Sequence, residues 1–231
     1  MKNKLWIFGD SVSAGTGQDK NHEYYKRFLE PYNIEKKEYG VYLSEKLNLE
    51  LKQLSIGGLS NDAILRKVIE NLSNFKKGDK VIIGITDHFR FEMLLPHHEK
   101  SEYKSFLVHE FYQDIDNPNL MNNLHPNTDI NNAIRNYTRY IHLESLSYTN
   151  VSISKQLKSI MDHLNSIGID TFIWNYHRRS LVGTYIDVVK IDDITNATNN
   201  EVIDNHPSYK GHEELADIIF NKLTNRTPFE R

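Results

Sequence analysis

Apolar runs of strand length alternate along this chain with stretches in which apolar residues recur every three to four positions. Residues 4–8, 49–55, 80–85 and 169–174 read as strands, and the Val-Ile-Ile centre of 80–85 marks one covered on both faces. A further short strand is expected at 186–191. Helical spacing occupies residues 39–47. Ser60 is placed to cap a second helix reaching about residue 72, with Ile64, Val68 and Leu72 on one face and Leu65 and Ile69 beside them. Ser152 is placed to cap a third, which carries Ile153, Leu157, Ile160, Met161, Leu164 and Ile167 and stops at Gly168. A last helix spans about 211–223, with Leu215, Ile218, Ile219 and Leu223 turned inward.

The order β-α-β-α-β, then α-β, then α predicts an α/β fold: a flavodoxin-like, three-layer α/β/α sandwich around a mostly parallel central sheet. Ligands of such sheets sit beyond the carboxyl ends of the strands, which directs attention to the residues after Phe8, Ser55, Ile85 and Trp174. Residues 93–150 break the alternation. They form a polar insertion rich in His, Tyr and Asn, with helical spacing at 130–142, and serve either as a solvated surface elaboration or as a cover over the site. No repeat or linker divides the chain, so residues 1–231 are expected to form a single domain.

Composition narrows the function. The 231 residues are 39% hydrophobic and 26% charged, a globular balance. A net charge of −3 without a basic stripe argues against nucleic acid as a partner. No apolar run approaches the roughly 18 residues of a membrane span. After the basic Met1-Lys2-Asn3-Lys4, the apolar run stops within four residues, short of the roughly 7–15 of a secretory signal. No signal peptide is therefore expected, and a cytoplasmic or phage-particle location follows; the Lys-, Asn- and Ile-heavy usage is that of an AT-rich bacterial or phage genome. Cys is absent, which removes disulfides, thiolate metal sites and Cys nucleophiles. His97, His98, His109 and His125 lack metal-ligand spacing, so neither metal nor cofactor is expected.

Directly after the first strand stands Gly9-Asp10-Ser11-Val12-Ser13-Ala14-Gly15. A Ser on a tight turn at a strand's carboxyl end exposes its hydroxyl beside backbone N–H groups that can face an oxyanion. The same turn would equally cradle a phosphate. Near the other end, Asp204-Asn205-His206-Pro207-Ser208 precedes the last helix. Pro207 restrains the loop, Ser208 is a candidate cap, and His206 is either a general base or itself part of the helix cap. Asp204 is placed to hold the imidazole tautomer.

These two segments together resemble the SGNH, or GDSL, hydrolases. In that family the nucleophile lies in an N-terminal Gly-Asp-Ser, a Gly and an Asn complete the oxyanion hole, and a C-terminal Asp-x-x-His-Pro supplies the acid and base. The resemblance implies Ser11 as nucleophile, His206 as base, and Gly58, in Gly57-Gly58-Leu59-Ser60-Asn61-Asp62, as the oxyanion glycine beside the Ser11 N–H. The block that normally reads Gly-x-Asn-Asp is Gly84-Ile85-Thr86-Asp87, so Thr86 stands in the place of Asn as third oxyanion donor. Ile203 replaces the usual Asp, with Asp204 one place nearer His206; a Ser–His dyad or a backbone carbonyl as orienter are the alternatives. Asp10, Asn61, Asp87, Arg90 and Trp174 are expected to border the substrate, and Arg90 is placed either to bind it or to pair with Glu92.

The expected activity is ester hydrolysis through an acyl-enzyme, removing a small acyl group such as acetyl from a carbohydrate or other small ester. Two alternatives use the same framework: an acyltransferase with the same Ser–His pair, and an SGNH-fold binding or structural module with weakened or lost chemistry. Oligomeric state is not legible in the sequence.

Overall fold

The computed structural model describes residues 2–16, 20–21, 25–86, 90–95, 102–107, 132, 136, 143–175, 189–190 and 206–225. Its strands are β1 (Lys4–Phe8), β2 (Glu50–Gln53), β3 (Lys80–Ile85), β4 (Arg90–Leu95), β5 (Glu102–Leu107), β6 (Asp170–Asn175) and β7 (Val189–Lys190). Its helices are α1 (Ser11–Ala14), α2 (Tyr39–Leu47), α3 (Asn61–Glu70), α4 (Leu143–Ser166) and α5 (Tyr209–Thr224). Five strands form one parallel sheet in the order β2-β1-β3-β6-β7. Counted along the chain, this is the flavodoxin-like order 2-1-3-4-5 of a doubly wound sheet.

The two faces of the sheet explain the alternation in the sequence. Trp6, Phe8, Val81, Ile83, Ile85 and Ile173 point to one side and pack against Ile64, Leu65 and Val68 of α3 and Ile153, Leu157 and Leu164 of α4. Leu5, Ile7, Ile82, Phe172 and Trp174 point to the other, against Val12 of α1, Tyr39 and Leu43 of α2, and Leu215, Ala216 and Ile219 of α5. Each such side chain removed from water contributes roughly 1.5–3 kcal/mol, which is why strands with both faces apolar come out central. At the amino end of the sheet, Asp79 ties the layers together: its carboxylate accepts from the Lys4 N–H at 2.8 Å, the Trp6 indole at 3.0 Å and the Lys76 N–H at 3.1 Å.

Most expected elements stand within a residue or two of their positions. Ser60 caps α3 by accepting from the Ala63 N–H, and Ser208 caps α5 by accepting from the Gly211 N–H. Two differ. The helix expected to start at Ser152 begins at Leu143; Ser152 lies inside it and accepts from Gln156 one turn on. Where a polar insertion was expected to begin, β4 and β5 pair antiparallel as a separate two-stranded sheet, with Arg90 opposite Leu107. The helical spacing at 130–142 lies almost wholly outside the described residues. Among the described residues, no helix is long and apolar enough to cross a membrane.

Candidate active site

The turn after β1 is built around the Asp10 carboxylate. Asp10 is 2% exposed and caps α1 through a hydrogen bond from the Val12 N–H to Oδ1 at 3.1 Å. Gly15 closes the one-turn helix in the left-handed region, at φ 61°. The next two serines then separate. Ser13 is fully buried against Gly9 and Gly84, so close that a Cβ on either glycine would collide with it. Ser11 keeps 8% of its surface. Of the two serines, only Ser11 keeps any exposed surface.

The second turn lies against the first. The Ile56 N–H donates to the Gly9 carbonyl at 3.2 Å, which brings Gly57-Gly58 alongside Ser11. A Cβ on Gly57 would stand 3.8 Å from the Ser11 Cβ and 3.0 Å from the Thr16 hydroxyl. Gly58 adopts φ 83°, a backbone conformation natural only to glycine, with open space where its side chain would be.

The end of β3 departs from the expected site. Thr86 is fully buried, and its hydroxyl donates to Asp10 Oδ2 at 2.7 Å. Its N–H donates to the Asn61 side-chain oxygen at 3.0 Å, and its carbonyl accepts from the Asn61 amide at 3.2 Å. Both donors of Thr86 are thus committed inside the protein, and it offers none to an oxyanion at Ser11. Asn61, 4% exposed, stitches the start of α3 to the end of β3. Asp10 and Asn61, both almost fully buried, position these turns.

Of the two roles expected for Arg90, the pairing with Glu92 is not formed. Glu92 does share its face of β4, but the Glu92 carboxylate takes a bidentate pair from Arg66 of α3, at 3.0 and 2.7 Å. Arg90 instead extends Nη1 to Asp10 Oδ2 and to the Leu59 carbonyl, each at 3.4 Å. Its guanidinium lies between the residue preceding Ser11 and the residue following Gly58.

The C-terminal segment places His206 just ahead of α5, near His212. Pro207 and Ser208 are buried, and because Ser208 is the cap, His206 is left outside the helix, half-buried. His212, one turn into α5, is a core residue: its Nδ1 accepts from the Tyr39 N–H at 3.3 Å, and its ring stacks on Tyr39. Burial, reinforced by neighbouring His206, pushes the His212 imidazole down to about 3. Trp174 is likewise core, at 1% exposure, with its indole N–H donated to the Tyr39 hydroxyl at 3.3 Å and its ring edge-on to Tyr39. It does not line a cleft, because the strand's alternation turns it into the layer beneath α2. Asp87 and Asp204 lie outside the described residues. Among the described residues, no group of three or more His, Asp or Glu side chains could hold a metal ion.

Two functional features escape sequence reasoning: the Asn61 clasp on Thr86 and the placement of Arg90 against Asp10. The only advance signal for the first was the Ser60-Asn61 start of a helix beside a glycine turn.

No family model and no curated protein matches the chain. Solved structures of similar fold include the psychrotrophic esterase EstA from a Pseudoalteromonas species, at 13% identity over 96% of this chain and 97% of that one, TM-score 0.43. They also include a member of the lipolytic G-D-S-L family from Veillonella parvula DSM 2008, at 10% identity over 96% and 99%, TM-score 0.44. A third is the SGNH-hydrolase family esterase AlinE4, at 14% identity over 99% and 98%, TM-score 0.36.

Proposed function

We propose that the chain is a serine ester hydrolase with Ser11 as nucleophile and His206 as general base and then acid. The observation that supports this reading is the Gly57-Gly58 turn set against Ser11 at the end of β1, together with a His206 held outside the cap of α5. Ser11 attacks the acyl carbonyl and passes its proton to His206. The N–H groups of Ser11 and Gly58 receive the oxyanion. Asp204 orients the imidazole, and Asp87 borders the substrate. Water then releases the acyl group from Ser11, and no cofactor takes part. The acyl group proposed is a small one, acetyl first, on a carbohydrate or another small alcohol.

The test is steady-state hydrolysis of p-nitrophenyl acetate and a panel of acetylated sugars. Turnover by the wild type that vanishes in Ser11→Ala supports the reading. A wild type no faster than Ser11→Ala defeats it and favours a binding module. Transfer of the acyl group to a sugar hydroxyl in preference to water would mark an acyltransferase built on the same pair.

A further inference from the structure

We infer that Arg90 is the third oxyanion donor, a catalytic residue standing in for the side chain that Thr86 cannot supply. The assignment rests on the ester-hydrolase reading and adds to it a group that touches the reacting oxygen. Thr86 holds the position after β3, yet its hydroxyl goes to Asp10 and its N–H to Asn61. Among the described residues, Thr86 therefore leaves that side of Ser11 without a donor of its own. A guanidinium carries five N–H groups in a rigid fork. Arg90 is anchored by Nη1 alone, to Asp10 Oδ2 and the Leu59 carbonyl. Nε is buried without an acceptor among the described residues, which leaves Nη2 as the arm of the fork to meet an acyl oxygen. Asp10 immediately precedes Ser11 and Leu59 immediately follows Gly58. The anchored fork therefore lies between the two turns whose N–H groups form the rest of the hole. Its side chain is 14% exposed, shielded enough for a positive charge to act in a low effective dielectric.

In the step concerned, the Ser11 Oγ–acyl carbon bond forms and the Ser11 proton passes to His206. The carbonyl π pair moves onto oxygen, where Arg90 donates to it. On collapse the pair re-forms the carbonyl, the bond to the leaving alcohol breaks, and the His206 proton goes to the departing oxygen. Arg90 neither gains nor loses a proton. Asp10 acts through Arg90 and is a positioning residue.

The experiment compares wild type, Arg90→Lys, Arg90→Gln and Arg90→Ala in hydrolysis of p-nitrophenyl acetate and in inhibition by an alkyl boronate that forms a tetrahedral adduct on Ser11. Ser11→Ala serves as the inactive reference, and circular dichroism checks the fold of each variant. Loss of one oxyanion donor lowers kcat by about 10²–10³, so Arg90→Gln and Arg90→Ala should lose that much with KM within a few-fold. Boronate affinity should fall in parallel with kcat/KM across the series, because both report a tetrahedral oxyanion. Added guanidinium should restore part of the Arg90→Ala rate. A wild type and Arg90→Ala of equal kcat, both far above Ser11→Ala, would overturn the Arg90 assignment and leave the hydrolase reading intact. So would a change confined to KM, or to esters with a carboxylate, since that marks a substrate anchor. A wild type no faster than Ser11→Ala would overturn both.

Discussion

Replacing Asp10 should damage the protein far more than its place in a four-residue helix implies. Its carboxylate receives the Val12 N–H, the Thr86 hydroxyl and the Arg90 guanidinium. Asp10→Ala removes a helix cap worth about 1 kcal/mol. It also strips an acceptor from a buried hydroxyl and a mostly buried guanidinium, at roughly 1–3 kcal/mol each. The sum is about 3–7 kcal/mol, or a fall in Tm of roughly 6–28 °C for a chain of this length. Asp10→Asn preserves the cap and one oxygen, and should cost about 2 kcal/mol. The measurement is denaturant unfolding with the slope monitored, since an unchanged slope shows that only stability has moved. Adding Thr86→Val completes a double-mutant cycle with an expected coupling of about 1–2 kcal/mol. An Asp10→Ala cost below about 1 kcal/mol, or additive single variants, would refute the carboxylate as the hub of this edge.

Two further outcomes follow from the packing. His212 is neutral when folded, with its imidazole held near 3 against an ordinary 6.5, so the unfolded chain binds a proton that the folded one excludes. Its contribution is complete above about pH 6.5 and is lost as pH falls toward about 3, by up to about 1.4 kcal/mol per pH unit; unfolding midpoints from pH 7 to 4 should show a shallower slope in His212→Asn. Gly84→Ala would bring a methyl group within 2.9 Å of the Trp174 ring as well as onto Ser13, and should cost about 1–3 kcal/mol in the same unfolding assay.

What was legible in the sequence is what depends on local periodicity. The double-sided apolar runs of β1, β3 and β6 fixed the layers, and Ser60 and Ser208 announced the starts of α3 and α5. The start of α4 was hidden because the Ser, Thr and Asn residues of 145–152 resemble a cap, while tertiary packing carries the helix through them. The site failed in a more instructive way. Spacing places Arg90 and Glu92 on one face, but not the fact that Arg66, on another element, holds Glu92 and leaves Arg90 to Asp10. Position after a strand recommended Thr86 and Trp174, whereas hydrogen-bond partners decide what a side chain has left to offer. For Thr86 those partners are Asp10 and Asn61; for Trp174, Tyr39.

The central claim is that Ser11, activated by His206, attacks an acyl carbonyl. Intact-mass and peptide mapping after exposure to a p-nitrophenyl alkylphosphonate addresses it directly. The account predicts one adduct per chain, on the peptide carrying Ser11, absent in Ser11→Ala and formed about 10²–10⁴-fold more slowly in His206→Ala. No adduct, an adduct on Ser13, or labelling indifferent to His206 would contradict it.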